Sequence, residues 1–599
     1  MSAYVRQPAV GRADRLLTLS VVFILLGLYT ATFIGIDPGG EAELRFQTTS
    51  AVARTGRAVL GGTPEAKRVV MEARLAETVG RSTAGTVVSG SGEVYAVHGI
   101  GSALLSAPLY GLGQVGAVML PAFEERHTEI EEGARSEYFA HVAVGWRNAL
   151  LGALLGGLLF ETARRMGVRR APAWGGALAF GVATYAWPSA LSSQVEVLAT
   201  FLLFLAFHWI VMMRETFERL TAPRAWTLFA LGLVLGLAVL TRPSAALAVV
   251  VLALGAFSVL RSGRAQFLGT GTERMRRRGE KLRWLSTFMA LPLLAAVLVL
   301  LAFDRERYGD PFATMRTLLV DQPLRPQLID ELLAPGNGLL WLAPGVILCP
   351  LGLKAAWSDG ERLWPWVLIG VGACSALPLV ESDVPLVEPS YGPRHLLLAL
   401  PFAWVGVLIA LDQTLARPGL RVAAAGLFLA GVLAAVPAVL VDARTYGDLA
   451  LQAAEIERGP AAPLDEARNE AGDADPPGAT GPEADEPQSN GAGAEAGSPV
   501  ELSDLGWDWR YAVPWAYWRI LRHRVAGGGE AFDARELFAV ASERPLVPSD
   551  DRDQGFRHLA FVDLSLRLDG PGGMLLLSSF GLVLVGLALA SRGFQPGRS

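Results

Sequence analysis

Three carboxylates follow the first long apolar run of the sequence. Asp37, Glu41 and Glu43 come directly after residues 16–35. Carboxylates grouped at a membrane face act as a general base, orient an acceptor hydroxyl or bind a divalent cation. Acidic residues are equally common in the first turn of a solvated helix, where they compensate the helix dipole. The spacing alone leaves both interpretations open.

A fourth carboxylate stands beside hydrocarbon. Glu196 follows WPSALSSQV and precedes the apolar run VLATFLLFLAF. An ionisable group at this depth is costly and by default indicates function, whereas the alternative is a simple interfacial helix cap. We therefore place Glu196 among the candidate catalytic residues, beside the three carboxylates of the first loop.

Arginines on the same predicted side form a second chemical group. Arg242 lies in the short turn LTRPS, Arg394 in SYGPRHLLLALP, and Arg305 and Arg307 in FDRERYGDP. A guanidinium binds phosphate through two hydrogen bonds and keeps its charge when partly buried. Converging arginines would suit the phosphate of a lipid-linked substrate, whereas a single one would contact lipid headgroups.

Arg147 is a further candidate because of its position in an apolar segment. It directly precedes the short charge-free run 148–160. A helix that begins near Tyr138 would place this guanidinium in the outer half of the membrane. An intramembrane arginine indicates a functional partner, although snorkelling of the side chain to the interface is the alternative.

Membrane-spanning helices must position these residues. The chain is 52% hydrophobic and 18% charged, whereas soluble proteins have about a quarter of charged residues. A block of about 18 apolar residues crosses the membrane as a helix, and long Leu-, Ala-, Val- and Gly-rich blocks predict an all-α polytopic membrane protein. Thirteen such blocks occur, at residues 16–35, 97–123, 148–160, 171–195, 197–213, 226–241, 243–260, 284–303, 338–353, 363–380, 396–411, 422–441 and 571–591.

The basic residues predict the topology. Arginine-rich loops around residues 164–170 and 261–283 should be cytoplasmic. Both loops lie on the cytoplasmic side only if block 97–123 does not cross the membrane. The glycines and the proline of this block suit an interfacial helix that is covered by protein. We therefore expect about twelve transmembrane helices, cytoplasmic N- and C-termini, and a first external loop over residues 37–137 that contains interfacial helices.

The remainder of the chain is expected to lie outside. Residues 1–441 form the transmembrane domain. Residues 442–500 are an Ala-, Gly-, Pro- and acid-rich linker, partly disordered because it has few apolar side chains to bury. Residues 501–570 are an external aromatic-rich segment, interpreted as an interfacial helix over the active face or a small packing core. Residues 571–599 hold the last transmembrane helix and a cytoplasmic tail.

Several other chemistries are disfavoured by the sequence. The net charge of −5 argues against a nucleic-acid partner. Cys349 and Cys374 lie in apolar blocks and are expected to be buried hydrophobes. No phosphate-binding loop, dinucleotide fingerprint or nucleophile elbow occurs. The histidines, including His98, His127 and His141 of the first external region, lack the spacing of a known zinc motif.

The order of these segments resembles the GT-C superfamily of membrane glycosyltransferases, and within it bacterial family 39-like and aminoarabinose-transferase-like proteins. The resemblance rests on the acidic segment after the first span, on YAVHGIGSALLSAPLYGLG, on TYAWPSALSSQVEVLATFL and LGLAVLTRPSA, and on RYGDPFA, GNGLLWLAPG and YGPRHLLLALP. It reaches from about residue 16 to 411 and implies a transmembrane domain of GT-C type.

The resemblance implies an enzyme of the bacterial inner membrane. A polyprenyl-phosphate-linked sugar would be the donor, and a lipid, glycan or protein outside the cytoplasm the acceptor, with membrane lipids as surroundings. Asp37 or Glu41 would be the base, because the usual adjacent Asp-Glu pair is replaced here by a spread of three carboxylates. Glu196 would assist, with a divalent cation left open as a cofactor and its ligands unknown. The alternatives are a transporter or flippase of envelope lipids or polymers and a non-enzymatic assembly subunit.

Overall fold

The fold comes from a computed structural model of the chain. The structure describes residues 11–33, 35, 40–61, 70, 85–121, 124, 137–219, 221–269, 273–314, 316, 327–335, 338–358, 362–376, 391–414, 417–441, 446, 449–450, 452–453, 456, 513–525, 532–533, 537, 545–546 and 572–595. Asp37, His127, the linker 442–500 for its greater part, and most of residues 501–570 lie outside the described residues.

Helices dominate the described residues. They are α1 (Arg12–Ala31), α2 (Gly40–Thr55), α3 (Ile100–Met119), α4 (Tyr138–Arg165), α5 (Arg170–Val182), α6 (Ala186–Leu191), α7 (Val195–Glu218), α8 (Ala225–Thr241), α9 (Ala246–Gly269), α10 (Glu273–Tyr308), α11 (Gln327–Leu333), α12 (Leu339–Leu342), α13 (Cys349–Ser358), α14 (Leu363–Ala376), α15 (Leu400–Thr414), α16 (Pro418–Leu440), α17 (Val513–Val525) and α18 (Gly572–Gly593). Short 3-10 turns at Pro243–Ala245, Pro344–Leu348 and Arg394–Leu398 connect some of them.

The helices have the length and composition that a membrane requires. Among the described residues, eight are long and apolar enough to cross: Arg12–Ala31, Ile100–Met119, Tyr138–Arg165, Val195–Glu218, Pro243–Arg264, Ser286–Tyr308, Pro418–Leu440 and Leu576–Gly593. Three shorter apolar helices, Ala225–Thr241, Leu363–Ala376 and Leu400–Gln413, add to them. The prediction of an all-α polytopic membrane protein is confirmed.

Helix α3 coincides with the block that the topology keeps on the outer side. Its C-terminal half exposes Leu112, Val115, Val118 and Met119, which suits contact with lipid. The helix is long and apolar enough to cross, so its interfacial placement stays a prediction.

The first and last spans pair closely. A Cβ on Gly27 would lie 2.5 Å from the carbonyl oxygen of Ser579, and one on Gly586 would lie 2.6 Å from Cγ1 of Ile24. Small residues allow helix backbones to approach in a membrane, where van der Waals packing replaces the hydrophobic drive. The C-terminal span is therefore an integral part of the bundle.

The first loop carries a β-hairpin between two helices. Strand β1 (Thr86–Val88) pairs antiparallel with β2 (Val94–Ala96), with Thr86 opposite Ala96. Gly92 takes a positive φ of 78° in the turn, which favours glycine. Strand β2 leads directly into His98 and α3, so the hairpin determines where that histidine lies. The described residues hold one other short pair, β3 (Phe532–Asp533) with β4 (Pro545–Leu546).

A polar cluster, here called the Asp14 cluster, lies where α1, α4 and α5 meet. Arg164 and Arg170 donate to Asp14 Oδ1 at 3.0 and 2.9 Å. The Gly11 amide donates to the Oδ2 atom at 3.1 Å. Both carboxylate oxygens are therefore bonded, and the cluster joins three helices.

Candidate active site

Glu196 and Arg242 meet at the ends of two neighbouring helices. Glu196 occupies the first turn of α7, where the helix dipole favours a carboxylate. Arg242 is the C-terminal cap of α8, and its extended backbone precedes Pro243, which cannot continue the helix. Arg242 Nη1 donates to Glu196 Oε1 at 2.6 Å. The other carboxylate oxygen, Oε2, is buried and has no hydrogen-bond partner among the described residues.

The same guanidinium contacts His395. Arg242 Nη2 donates to His395 Nδ1, and Nε donates to the Ser244 hydroxyl at 2.8 Å. A ring nitrogen that accepts from a guanidinium must be unprotonated. Burial, with the charges of Arg242 and Arg394, lowers the pKa of His395 to about 3, so this imidazole stays neutral.

Glu41 lies between two arginines. Its Oε2 atom is 2.5 Å from Arg45 Nη2, one turn along α2, and 3.3 Å from Arg394 Nη1. Burial would raise the pKa of Glu41, but the charges of Arg45 and Arg394 outweigh burial and hold this pKa below its usual value. Glu41 is therefore a carboxylate at neutral pH.

His98 lies in the field of the same charges. Burial lowers its pKa to about 3, and the charges of Arg45 and Arg394 act in the same direction, while Glu41 and Glu196 oppose them. Its Nε2 atom is buried and has no hydrogen-bond partner within the described parts of the chain. His98 is thus a neutral imidazole with an unused ring nitrogen.

We call these residues the carboxylate–arginine centre. It combines two acidic, three basic and two neutral imidazole side chains from α2, the segment before α3, α7, the end of α8 and the turn before α15. Its members are Glu41, Glu196, Arg45, Arg242, Arg394, His98 and His395.

Arg307 holds the chain that carries His98. Its Nη1 atom donates to the carbonyls of Ala96 and Val97 at 3.1 and 2.8 Å. Its Nη2 atom donates to Asp304 at 2.7 Å, and the side chain is 1% exposed. The guanidinium is therefore engaged with backbone carbonyls, and its predicted contact with donor phosphate stays a prediction.

A small pocket adjoins the centre. Its lining includes Arg45, Ser102, His141, Arg147 and Ser193. Arg147 donates from Nε to Asn148 Oδ1 at 3.0 Å and from Nη1 to the hydroxyl of Ser106. Within the described ranges no carboxylate lies within salt-bridge distance of Arg147. A buried guanidinium with neutral partners alone favours an anion in the pocket.

Glu43 and His141 lie within hydrogen-bond distance of each other at the edge of this pocket. His141 Nδ1 lies 3.0 Å from the carbonyl of Glu137, and Nε2 lies 3.2 Å from Glu43 Oε2. The carbonyl only accepts, so Nδ1 carries a hydrogen. A hydrogen bond to Glu43 then requires a second proton, either on Nε2 or on the carboxylate. The pair adds no net charge in either arrangement.

The predicted residues therefore fall into three places. Glu41, Glu196, Arg242 and Arg394 lie in one centre, while Glu43 and Arg147 lie at the adjoining pocket. Arg307 lies behind His98, and Asp37 lies outside the described residues. Among the described residues no group of three His, Cys, Asp or Glu side chains is arranged to hold a metal ion.

Three members of the centre were not predicted from the sequence. Arg45 follows Glu41 by one helical turn, a spacing that predicts an ion pair. His395 is next to Arg394, and His98 precedes the apolar block that the topology keeps outside. The zinc-motif criterion considers only the spacing of metal ligands along the sequence, so it did not single out either histidine.

The fold is that of an all-α polytopic membrane protein. Residues 102–307 match the family model of dolichyl-phosphate-mannose-protein mannosyltransferase, which is about a third of the chain and includes Glu196 and Arg242. The resemblance to GT-C membrane glycosyltransferases is thereby confirmed. No curated protein matches the sequence.

Solved structures of an archaeal enzyme are similar at low level. The oligosaccharyltransferase AglB from Archaeoglobus fulgidus, in complex with an inhibitory peptide and a dolichol-phosphate, has 10% identity, a TM-score of 0.40 and coverage of 76% of this chain and 59% of its own. The apo oligosaccharyltransferase of the same organism has 13% identity, a TM-score of 0.37 and coverage of 82% of this chain and 63% of its own. The form tethered to an acceptor peptide has 11% identity, a TM-score of 0.39 and coverage of 77% of this chain and 59% of its own. The chain thus spans about 60% of the length of these structures.

Proposed function

We propose that the chain moves a sugar from a polyprenyl-phosphate carrier to an acceptor at the non-cytoplasmic face of a bacterial inner membrane, with both termini in the cytoplasm. The observation that carries the proposal is the carboxylate–arginine centre. Carboxylates able to handle the proton of an acceptor hydroxyl lie there beside guanidiniums able to bind a phosphate.

The charge of the site suits an anionic donor. The centre and its pocket contain two carboxylates, Glu41 and Glu196, and four guanidiniums, while His98 and His395 are neutral. The described residues of the site therefore carry a surplus of two positive charges. Arg147 has no acidic partner among them, which makes its pocket the preferred place for the donor phosphate.

The reaction proposed is an inverting displacement. The acceptor hydroxyl oxygen forms a bond to the anomeric carbon as the bond from that carbon to the phosphate oxygen breaks. The hydroxyl proton passes to a first-loop carboxylate, Asp37 or Glu41. The bonding pair leaves with the polyprenyl phosphate, and Arg242, Arg394 and Arg147 stabilise the developing charge.

Glu196 has a supporting role in this scheme. Its ion pair with Arg242 orients that guanidinium, and its second oxygen is buried without a hydrogen-bond partner in the described part of the chain. It is free to accept from a sugar hydroxyl or to contact a divalent cation. Glu43 is linked to the same pocket through His141.

Charge-neutral variants test the proposal. Asp37→Asn, Glu41→Gln, Glu43→Gln and Glu196→Gln are assayed in membranes with a lipid-linked sugar. We expect a loss of about 10²–10³-fold in transfer for the base and for Glu196, because positioned charges at a reacting centre have effects of this size. The matched control is Glu218→Gln, an exposed partner of Arg214 on the same helix as Glu196.

Full transfer by all four variants would overturn the proposal. The transporter and the assembly subunit would then be the remaining candidates, and deletion of residues 501–570 would separate them. An assembly subunit loses its docking element with that deletion, whereas a transporter keeps its helices.

A further inference from the structure

The turn that presents Arg394 and His395 has little structure of its own. It comprises Arg394–Leu398, a 3-10 stretch with bonds such as Leu396 N–H to the Pro393 carbonyl at 2.9 Å. Short 3-10 segments have poorer hydrogen-bond geometry than α-helices. Two side chains of the centre therefore depend on the surroundings of this turn for their position.

The backbone just before Arg394 is held on one side by a close contact between Gly392 and Tyr185. Gly392 has a φ of +87°, and a Cβ there would lie 2.8 Å from the ring of Tyr185. Both the positive φ and the lack of space require glycine. The backbone before Arg394 is thus pressed against the bundle at one point.

The other side is held by the C-terminal part of the chain. Tyr517 of α17 is 1% exposed, and its ring centroid lies 5.4 Å from that of Tyr391 at an interplanar angle of 73°. The ring of Tyr446 lies 5.2 Å from Tyr517. Aromatic pairs at these distances each add about 0.5–1.5 kcal/mol beyond their buried area.

Hydrogen bonds connect the same two parts to α16. The Tyr391 hydroxyl donates to the carbonyl of Ala434 at 2.5 Å. Trp518, the neighbour of Tyr517, donates from its indole nitrogen to the carbonyl of Leu433 at 2.7 Å. Adjacent carbonyls of α16 therefore receive the turn and α17, and these two segments meet through the tyrosine rings.

We propose that Tyr517 is a positioning residue for the active site: α17 holds Tyr391, and through it the turn that places Arg394 beside Glu41 and His395 beside Arg242. The effect of Tyr517 on sugar transfer rests on the proposed function, whereas its effect on the position of the turn does not. The segment after the linker is then a component of the active site and not a separate domain.

Hydrogen exchange of the full-length protein in detergent tests the structural content directly. The variant Tyr517→Leu keeps apolar bulk in the buried position but removes both ring contacts. We expect at least about tenfold faster exchange in the peptide that covers residues 391–398, and unchanged exchange in α7. The control is Trp515→Leu, because Trp515 lies on the same helix and is 60% exposed.

A double-mutant cycle tests the functional consequence. If Tyr517 acts through Arg394, Tyr517→Leu lowers transfer in the native background and has little further effect with Arg394→Lys, because coupled residues are not additive. A structural defect elsewhere gives the same factor in both backgrounds. Unchanged exchange in residues 391–398 overturns the inference, and so does an additive cycle. A wild-type protein without transfer activity would contradict only the proposed function, because the exchange experiment still shows whether Tyr517 holds residues 391–398 in place.

Discussion

Two arginine–carboxylate clusters of the described residues, the Asp14 cluster and the carboxylate–arginine centre, differ in how completely their hydrogen bonds are made. In the Asp14 cluster both carboxylate oxygens accept hydrogen bonds. In the carboxylate–arginine centre, Glu196 Oε2, His98 Nε2 and Arg45 Nε are buried without a partner among the described residues. Similar residue types thus form a closed cluster at one place and an open one at another.

This difference separates a structural role from a binding role. A buried polar atom without a partner costs about 1–3 kcal/mol, so a cluster that only joins helices has no reason to contain several. Such atoms are explained when a ligand completes them. The number of ion pairs therefore does not identify a binding site, whereas unused hydrogen-bond donors and acceptors beside them indicate one.

The largest effects are expected from neutralising one carboxylate in each cluster. Glu196→Gln should lower transfer about 10²–10³-fold. Asp14→Asn should leave transfer per folded molecule unchanged. It should destabilise the protein by about 2–4 kcal/mol, because the buried ion pair between Arg164 and Asp14 would be lost. Transfer assays normalised to folded protein, with thermal melts in detergent, measure both.

The two clusters do not differ in role if the two variants behave alike. Asp14→Asn that abolishes transfer while remaining folded would show that the Asp14 cluster also serves the reaction. Asp412→Asn is a suitable control, since its ion pair with Arg169 lies on an exposed surface, where such pairs contribute little.

The sequence predicted the helical architecture and four members of the centre for a physical reason. Ionisable groups at the ends of apolar runs are costly, so Glu196, Arg242 and Arg394 were conspicuous against their neighbours. Charge-free blocks are equally direct evidence for helices, because nothing else of that length satisfies its backbone in lipid.

The rest of the site depends on contacts between distant segments. Residues 41 and 394 meet only through tertiary packing, and so do 98 and 307. Arg307 has the same local signal as Arg242, yet its guanidinium binds backbone carbonyls of β2 and the residues after it. The pairing of Tyr517 with Tyr391 crosses a linker without any periodic pattern, so no local sequence rule predicts it.

A smaller effect is expected for Arg147, and of a different kind. Arg147→Met should raise the KM for the lipid-linked donor about 10–100-fold, because charged hydrogen bonds contribute roughly 1.5–3 kcal/mol. It should not lower the melting temperature, since no carboxylate among the described residues is left unpaired. Steady-state kinetics with varied donor, together with melts, distinguish this result from that of Asp14→Asn.

Arg147→Lys keeps the charge in the pocket and should recover part of the affinity. Arg57→Gln is the matched control, because Arg57 is exposed and pairs with Glu93 and Glu306 outside the pocket. An unchanged KM with a lower melting temperature for Arg147→Met would place this arginine with the structural residues, and the pocket would lose its assigned role.

The smallest effect concerns the pH dependence of stability. Burial first, then Arg242 and Arg394, lower the pKa of His395 from 6.5 to about 3 in the folded protein. The unfolded chain therefore binds a proton below pH 6.5 that the folded protein excludes, because a protonated Nδ1 would face a guanidinium donor. The stability is fully present above pH 6.5 and is lost as the pH falls towards 3. His395→Asn should lessen this loss, so its melting temperature should fall by a few degrees less than that of the wild type between pH 7 and 4.5. Parallel curves would show that His395 is protonated in the folded protein, and Arg242 would then need a different partner in the centre.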